Sequence, residues 1–230
     1  IVARVLDILR DASKPGITTA ALDDIARKEI IALGGKPSFI GYLDYPAHIC
    51  TSFNEEIVHG IPGDRVIQEG DLVKMDVGAI VDGLYGDAAV TVGAGEISQE
   101  AHNLIEVTRE ALDIAVSSLR DGSRLGDVGA AVQGFVEAKG YSVVREYVGH
   151  GIGRALHEDP QIPNYGIPGR GMMLKTGMVI AIEPMVNVGT WKTEVMEDQW
   201  TVVTQDRSLS AHCEHTMIVN ENTAEVLTVH

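Results

Sequence analysis

The apolar residues of Ile1-Val2-Ala3-Arg4-Val5-Leu6-Asp7-Ile8-Leu9-Arg10 recur at helical spacing, with charges between them. Three further segments share that period. Residues 19–33 read as a helix with Thr19 as N-cap and Gly34-Gly35 as its stop. Residues 100–119 read as a longer helix, and residues 125–139 as another that Gly140 ends. Short runs rich in β-branched and apolar residues predict strands at 72–79, 88–92, 178–183, 201–204 and 214–219. The fold class is therefore α+β with an antiparallel sheet. No apolar run reaches the length of a bilayer span. The first segment is too charged for a signal peptide, and its start in mid-pattern without Met predicts a longer natural N-terminus.

The pattern repeats weakly. Leu6-Asp7-Ile8 matches Leu112-Asp113-Ile114, Gly16 matches Gly122, and Gly34 matches Gly140, always 106 positions apart. One position further out, Gly70 matches Gly177 and Asp76 matches Glu183. A true repeat means one catalytic domain over 1–230 with halves of roughly 1–95 and 96–230. A site at their seam would draw residues from both.

Composition narrows the function. Forty-five per cent apolar residues and 25 glycines are ordinary for a globular chain. A net charge of −15 disfavours nucleic acid and anionic membranes as partners. Two cysteines are too few for a disulfide scaffold, so a reducing cytoplasm is the simplest setting.

The acids matter where they converge. Asp82-Gly83 is a hairpin-turn signal. A turn centred there sets Asp76 against Ala89 and Gly78 against Asp87, so Asp76 and Asp87 share a face while Val73, Met75 and Val77 face a core. Taken alone, two solvated strand acids is the simpler reading. His150 and His157 lie in a glycine-rich stretch, Gly149-His150-Gly151-Ile152-Gly153-Arg154-Ala155-Leu156-His157-Glu158, which alone reads as a flexible loop. Glu183 ends the apolar run Ile180-Ala181-Ile182, and Glu214 opens another before Met217-Ile218-Val219. An acid in such a run is costly unless paired or metal-bound. Four carboxylates and one imidazole suit two divalent cations of the Mn, Fe, Co or Zn kind, and are too poor in thiolate for structural zinc.

Asp76, Asp87 eleven residues on, His150 in Gly-His-Gly-Ile-Gly, Glu183 in Ile-Glu-Pro-Met and Glu214 in Glu-His-Thr resemble the ligand series of the type I methionine aminopeptidases. Asn54-Glu55-Glu56-Ile57-Val58-His59-Gly60-Ile61-Pro62 and Trp200-Thr201 are similar to other family motifs, and the likeness spans nearly the whole chain. The resemblance implies the pita-bread (creatinase/aminopeptidase) fold, with two pseudo-twofold halves. It implies metal-dependent removal of the initiator methionine from polypeptide N-termini before a small second residue, by water activated between two metals. Glu183 would be ligand and proton shuttle, His157 would meet the carbonyl oxygen, and His59 the substrate backbone. Phe39, Tyr42, Tyr45, Cys50, Leu156 and Trp200 would line the methionine pocket. The family often has a histidine where Leu43 stands and a phenylalanine where Leu156 stands, and the smaller Leu156 is expected to leave the pocket looser toward other long side chains.

Two rivals share the fold. Proline-specific peptidases carry an additional N-terminal domain for which this chain has no room. A binding protein that had lost its metals would not keep five ligands. The protein is expected to act as a monomer. Docking on ribosomes is not expected, because residues 190–199 hold Lys192 against Glu194, Glu197 and Asp198. His212 reads as a partly exposed strand histidine rather than a support for Glu214, and His48, His102, His215 and His230 as structural or solvated.

Overall fold

The structure is a computed structural model and describes residues 1–229; His230 lies outside them. Four helices form where the period predicts them: α1 (Val2–Ala12), α2 (Thr19–Ala32), α3 (Gln99–Ser118) and α4 (Leu125–Ala138). Thr18, not Thr19, caps α2, its hydroxyl accepting from the Ala21 N–H at 3.2 Å. Ser98 caps α3 in the same way at 3.1 Å.

The strands build a nine-stranded, antiparallel sheet and two smaller three-stranded ones. At the centre of the large sheet stands the hairpin of Leu72–Val81 and Leu84–Gly93. Its turn residues Asp82 and Gly83 both have positive φ, 51° and 78°. That geometry matches the right-handed twist of the strands, and it fixes the expected register: Asp76 faces Ala89 and Gly78 faces Asp87. Both strands run longer than their apolar cores suggest.

The helices cover one face of the sheet. Val5, Leu9, Leu22 and Ile30 of α1 and α2 pack on Val73, Met75 and Val77. Leu104, Val107, Val132 and Val136 of α3 and α4 pack on Ile180, Ile182, Met217 and Val219. At about 1.5–3 kcal/mol for each fully buried large side chain, these two layers hold the sheet rigid. The opposite face carries a separate cluster of Phe39, Tyr45, Cys50, Ile152, Leu156 and Ala181.

The sequence repeat is a repeat of structure. α2 shifted by 106 positions lands on α4. Gly16 and Gly122, Gly34 and Gly140, and Gly70 and Gly177 all have left-handed backbones, at φ values from 81° to 98°. The isolated bridge Thr18↔Val66 recurs as Arg124↔Met173.

In the large sheet the halves meet along a short seam, and Val58↔Val202 and Glu56↔Val203 join them again in a smaller sheet. Strand Glu214–Val219 pairs with Leu84–Gly93 at only two positions, Glu214↔Ala89 and His215↔Ala88. A threonine hydroxyl extends the ladder at each end. Thr216 Oγ1 accepts from the Asp87 N–H at 2.9 Å and donates to the Asp87 carbonyl at 2.7 Å. Thr91 Oγ1 accepts from the His212 N–H at 2.9 Å and donates to the His212 carbonyl at 2.7 Å. Lys74, buried, adds a third tie through its Nζ, which donates to the carbonyls of Asn54 at 3.0 Å and Ser210 at 2.8 Å. Replacing Thr216 by Val keeps the shape but strands the Asp87 backbone groups. Thr216→Val should lower unfolding stability by about 1–3 kcal/mol. Urea denaturation reads this directly, and an unchanged midpoint would show that the seam does not depend on the hydroxyl.

Candidate metal centre

Five side chains converge on the open face of the sheet because the register puts them there. Asp76 and Glu214 both sit opposite Ala89, one strand to either side of it. Asp87 lies two residues before Ala89 and so shares its face. In the next strand, one step beyond the pair His215↔Ile182, Glu214 and Glu183 come side by side. His150, paired with Ala181, completes the set from the far side. Ala89 and Ala181 are small residues on the floor between these five, and their size leaves the carboxylates room to meet.

Asp87, His150 and Glu214 offer ligand atoms that all lie within 4.8 Å of one another. His150 Nε2 is 4.0 Å from Asp87 Oδ2 and 3.7 Å from Glu183 Oε1. His150 Nδ1 is held by the Gly151 carbonyl at 2.9 Å, which leaves Nε2 directed at the carboxylates. Gly149–Gly151 is thus a strand of the large sheet and not the flexible loop its glycines suggest. The glycines are needed there: a Cβ on Gly149 would run into the Ala181 carbonyl and one on Gly151 into the Asp159 carbonyl.

Burial raises the carboxyls of Asp76, Asp87, Glu183 and Glu214 above the usual carboxylate range, and the neighbouring acids raise the last three further. Burial also lowers His150 to about 4, with His157 adding to the effect, so the imidazole is neutral and able to coordinate. Asp76 Oδ1 and Asp87 Oδ1 are buried with no hydrogen-bond partner. Buried acids with orphaned oxygens beside a neutral histidine are what a divalent cation satisfies, so the donor set fits one.

All the pocket residues expected from the sequence line a single cleft over this cluster: Phe39, Tyr42, Tyr45, Cys50, Leu156 and Trp200, with His59 and His157. Leu43 joins them at the mouth, 73% exposed. Tyr45 meets the Trp200 ring edge-on at 4.9 Å, and its hydroxyl donates to the carbonyls of Ile49 and Gly60. Burial pushes the Cys50 thiol well up, which suits a wall and not a nucleophile. His157 Nδ1 is 2.7 Å from the Tyr42 hydroxyl, and its ring lies 4.3 Å from that of His150. His59 has a left-handed backbone at φ 63° and packs edge-on against Tyr147 at 5.7 Å and Trp200 at 6.3 Å.

Two residues differ from the sequence reading. His212 is not a partly exposed strand histidine: it is buried, its Nε2 unpartnered and 3.7 Å from Glu183 Oε2. Shared strand parity with Glu214 was the signal for it. Tyr147, which braces His59, was not singled out, and nothing in its local sequence marks it. His48 and His215 are structural, held by Asp23 at 2.7 Å and Thr228 at 2.9 Å, and His102 is exposed.

The comparisons agree with this chemistry. Residues 1–221 match the model of metallopeptidase family M24. A methionine aminopeptidase of Clostridium acetobutylicum is 53% identical over all of this chain and 92% of its own length. The crystal structure of a methionine aminopeptidase from Thermotoga maritima superposes with a TM-score of 0.98 at 50% identity, covering 100% of this chain and 92% of that one. A prolidase from Pyrococcus furiosus shares the fold alone: TM-score 0.79, 22% identity, 99% of this chain but only 60% of the prolidase. Matched by the family model over 221 of its 230 residues, the chain belongs to metallopeptidase family M24.

Proposed function

We propose that this protein is a methionine aminopeptidase: a single catalytic domain of two halves, roughly 1–95 and 96–230, that binds two divalent cations and removes the initiator methionine from polypeptides. The observation that carries the reading is the cluster of four carboxylates and one neutral histidine at the closed end of an apolar cleft. Asp76, Asp87, His150, Glu183 and Glu214 would hold the metals, of the Mn, Fe, Co or Zn kind. When bound, such ions supply Lewis acidity for the scissile carbonyl, acidify water near neutral pH and would also take a free α-amine, which an internal peptide segment lacks.

The protein's own groups do the rest. Phe39, Tyr45, Cys50 and Leu156 offer an apolar wall for an unbranched thioether side chain, and Trp200 closes it through Tyr45. Glu183 lines the cleft, where its carboxylate would be placed to pass a proton from water to the leaving amine. With Tyr42 on its Nδ1, His157 keeps Nε2 free to donate to the carbonyl oxygen as charge develops there. His59, kept neutral at about 4 by burial, is positioned by Tyr147 and Trp200 to contact the substrate backbone.

The test is hydrolysis of Met-Ala-Ser with Mn, Fe, Co and Zn supplied separately, beside Val-Ala-Ser and an Xaa-Pro peptide. Met-Ala-Ser should be cleaved well ahead of both, and Glu183→Gln should lower kcat by about 100-fold or more with a smaller change in KM. Preference for Xaa-Pro, or a Glu183→Gln enzyme of near-normal turnover, would contradict the reading.

Metal binding should depend on pH with a definite sign. The four carboxyls have folded pKa values above their unfolded ones. The metal-free fold therefore keeps protons that the unfolded chain has already lost, and its stability falls as pH rises from about 4 toward the folded values. Metal must displace those protons, so affinity should climb as pH rises toward and through the folded value of Asp76, about 7, by up to about tenfold per unit for each proton released. His150 does not oppose this, being neutral above about 4. Calorimetric titration with Mn(II) in buffers of different ionisation enthalpy measures both quantities. A pH-independent affinity without proton release would overturn the assignment of the carboxyls.

A further inference from the structure

Beyond the metal centre, the surface holds a groove whose charge runs against that of the chain. The protein has 33 acidic residues against 18 Lys and Arg. The groove between α4 and the segment 160–172 is lined by Arg145, Arg170, Gln133, Gln161 and Tyr165 among others, and no Asp or Glu contributes to its lining. The segment is seated on the start of α4 by backbone bonds, Leu125 N–H to the Met172 carbonyl and Gly126 N–H to the Arg170 carbonyl, both at 3.0 Å. Gly126 and Gly129 permit that approach, since a Cβ on either would strike the segment's carbonyls. The groove is therefore a fixed feature of the fold.

Arg145 is presented there by its neighbours. Its guanidinium carbon lies 4.9 Å from the Trp191 ring centroid and 5.7 Å from that of Tyr165. Its Nε is buried without a hydrogen-bond partner. Its one ion pair among the described residues is a long contact of 3.5 Å to Glu137, with both side chains partly exposed. The adjacent Glu146 turns instead to the Thr193 N–H and hydroxyl. A planar cation framed by two aromatic rings, with donors to spare, is ready for a carboxylate.

The groove borders the recess over His150 and His157: Gln161 lines both, and Glu158 and Asp159 line the recess but not the groove. A single run of chain carries Arg145 in the groove, Tyr147 against His59 and His150 at the carboxylates. A polypeptide whose first residue fills the cleft must lead its following residues out over the surface. The side-chain amides of Gln133 and Gln161 can pair with an extended backbone.

We propose that this groove is an exosite for the polypeptide substrate several residues beyond the scissile bond, and that Arg145, aided by Arg170, favours Asp or Glu there. The inference rests on the aminopeptidase reading, since only that gives the groove a chain to receive. Its chemistry is that of an acidic peptide segment.

The experiment is a peptide series that begins Met-Ala-Ser and continues in Gly and Ser, with one Asp, or one Lys, placed in turn at positions four to eight. Met-Ala-Ser itself is the reference for each protein. At one or two adjacent positions, Asp should give a kcat/KM about three- to tenfold above Lys, the size of a partly desolvated charge-assisted contact. The gain should lie in KM and shrink in high salt. Arg145→Ala should bring the Asp-to-Lys ratio close to one, Arg145→Lys should retain part of it, and Arg170→Ala should reduce it. A flat series in a protein that cleaves Met-Ala-Ser, or a preference that survives Arg145→Ala, would overturn the exosite alone. Failure to cleave Met-Ala-Ser with any metal would overturn the aminopeptidase reading and the exosite with it.

Discussion

Four carboxyl groups crowded on one face of a sheet repel one another, and among the described residues no Lys or Arg lines their cleft. Lys74, the nearest buried amine in sequence, turns away to the carbonyls of Asn54 and Ser210. Left to themselves the acids must keep protons, as their raised pKa values show, or push apart. The rest of the structure is arranged so that they cannot push apart. Helical layers stiffen the sheet from behind, Ala89 and Ala181 leave room beneath the side chains, and threonine hydroxyls pin the seam. The fold thus holds an unfavourable arrangement in place for an ion to relieve.

The doubling of the chain explains how one sheet gathers these groups. Each half supplies a helix pair and a set of strands, and each brings acids to the shared face: Asp76 and Asp87 from the first, Glu183 and Glu214 from the second. Neither half alone has the full donor set. Within the large sheet the seam is two residue pairs with a threonine clip at each end, beside the acids themselves, and the pairs Val58↔Val202 and Glu56↔Val203 of a smaller sheet join the halves again.

Much of this was legible in the sequence. Asp82-Gly83 sets the hairpin register, and with it the shared face of Asp76 and Asp87, because a two-residue turn admits one pairing. Glu183 and Glu214 stood out as acids bordering apolar runs. The helix boundaries followed from their period and the glycines after them. What escaped was what depends on contact across the chain. Gly149–Gly151 has no strand composition and is drawn into the sheet by its neighbours. Thr91 and Thr216 are ordinary strand residues until each meets a backbone 121 or 129 positions away. His212 was misread as partly exposed because parity says which face a residue takes, not whether another element covers it. Arg145 gave no local sign, its aromatic frame coming from Tyr165 and Trp191.

The carboxylate cluster costs the fold stability until metal arrives. Equilibrium denaturation of wild-type protein and the near-isosteric Glu214→Gln, each with chelator and with Mn(II), near pH 7.5, tests it most directly. Removing one buried acid should make the metal-free variant more stable than metal-free wild type, and added Mn(II) should reverse that order by stabilising the wild type far more. A metal-free Glu214→Gln protein less stable than wild type would contradict the account.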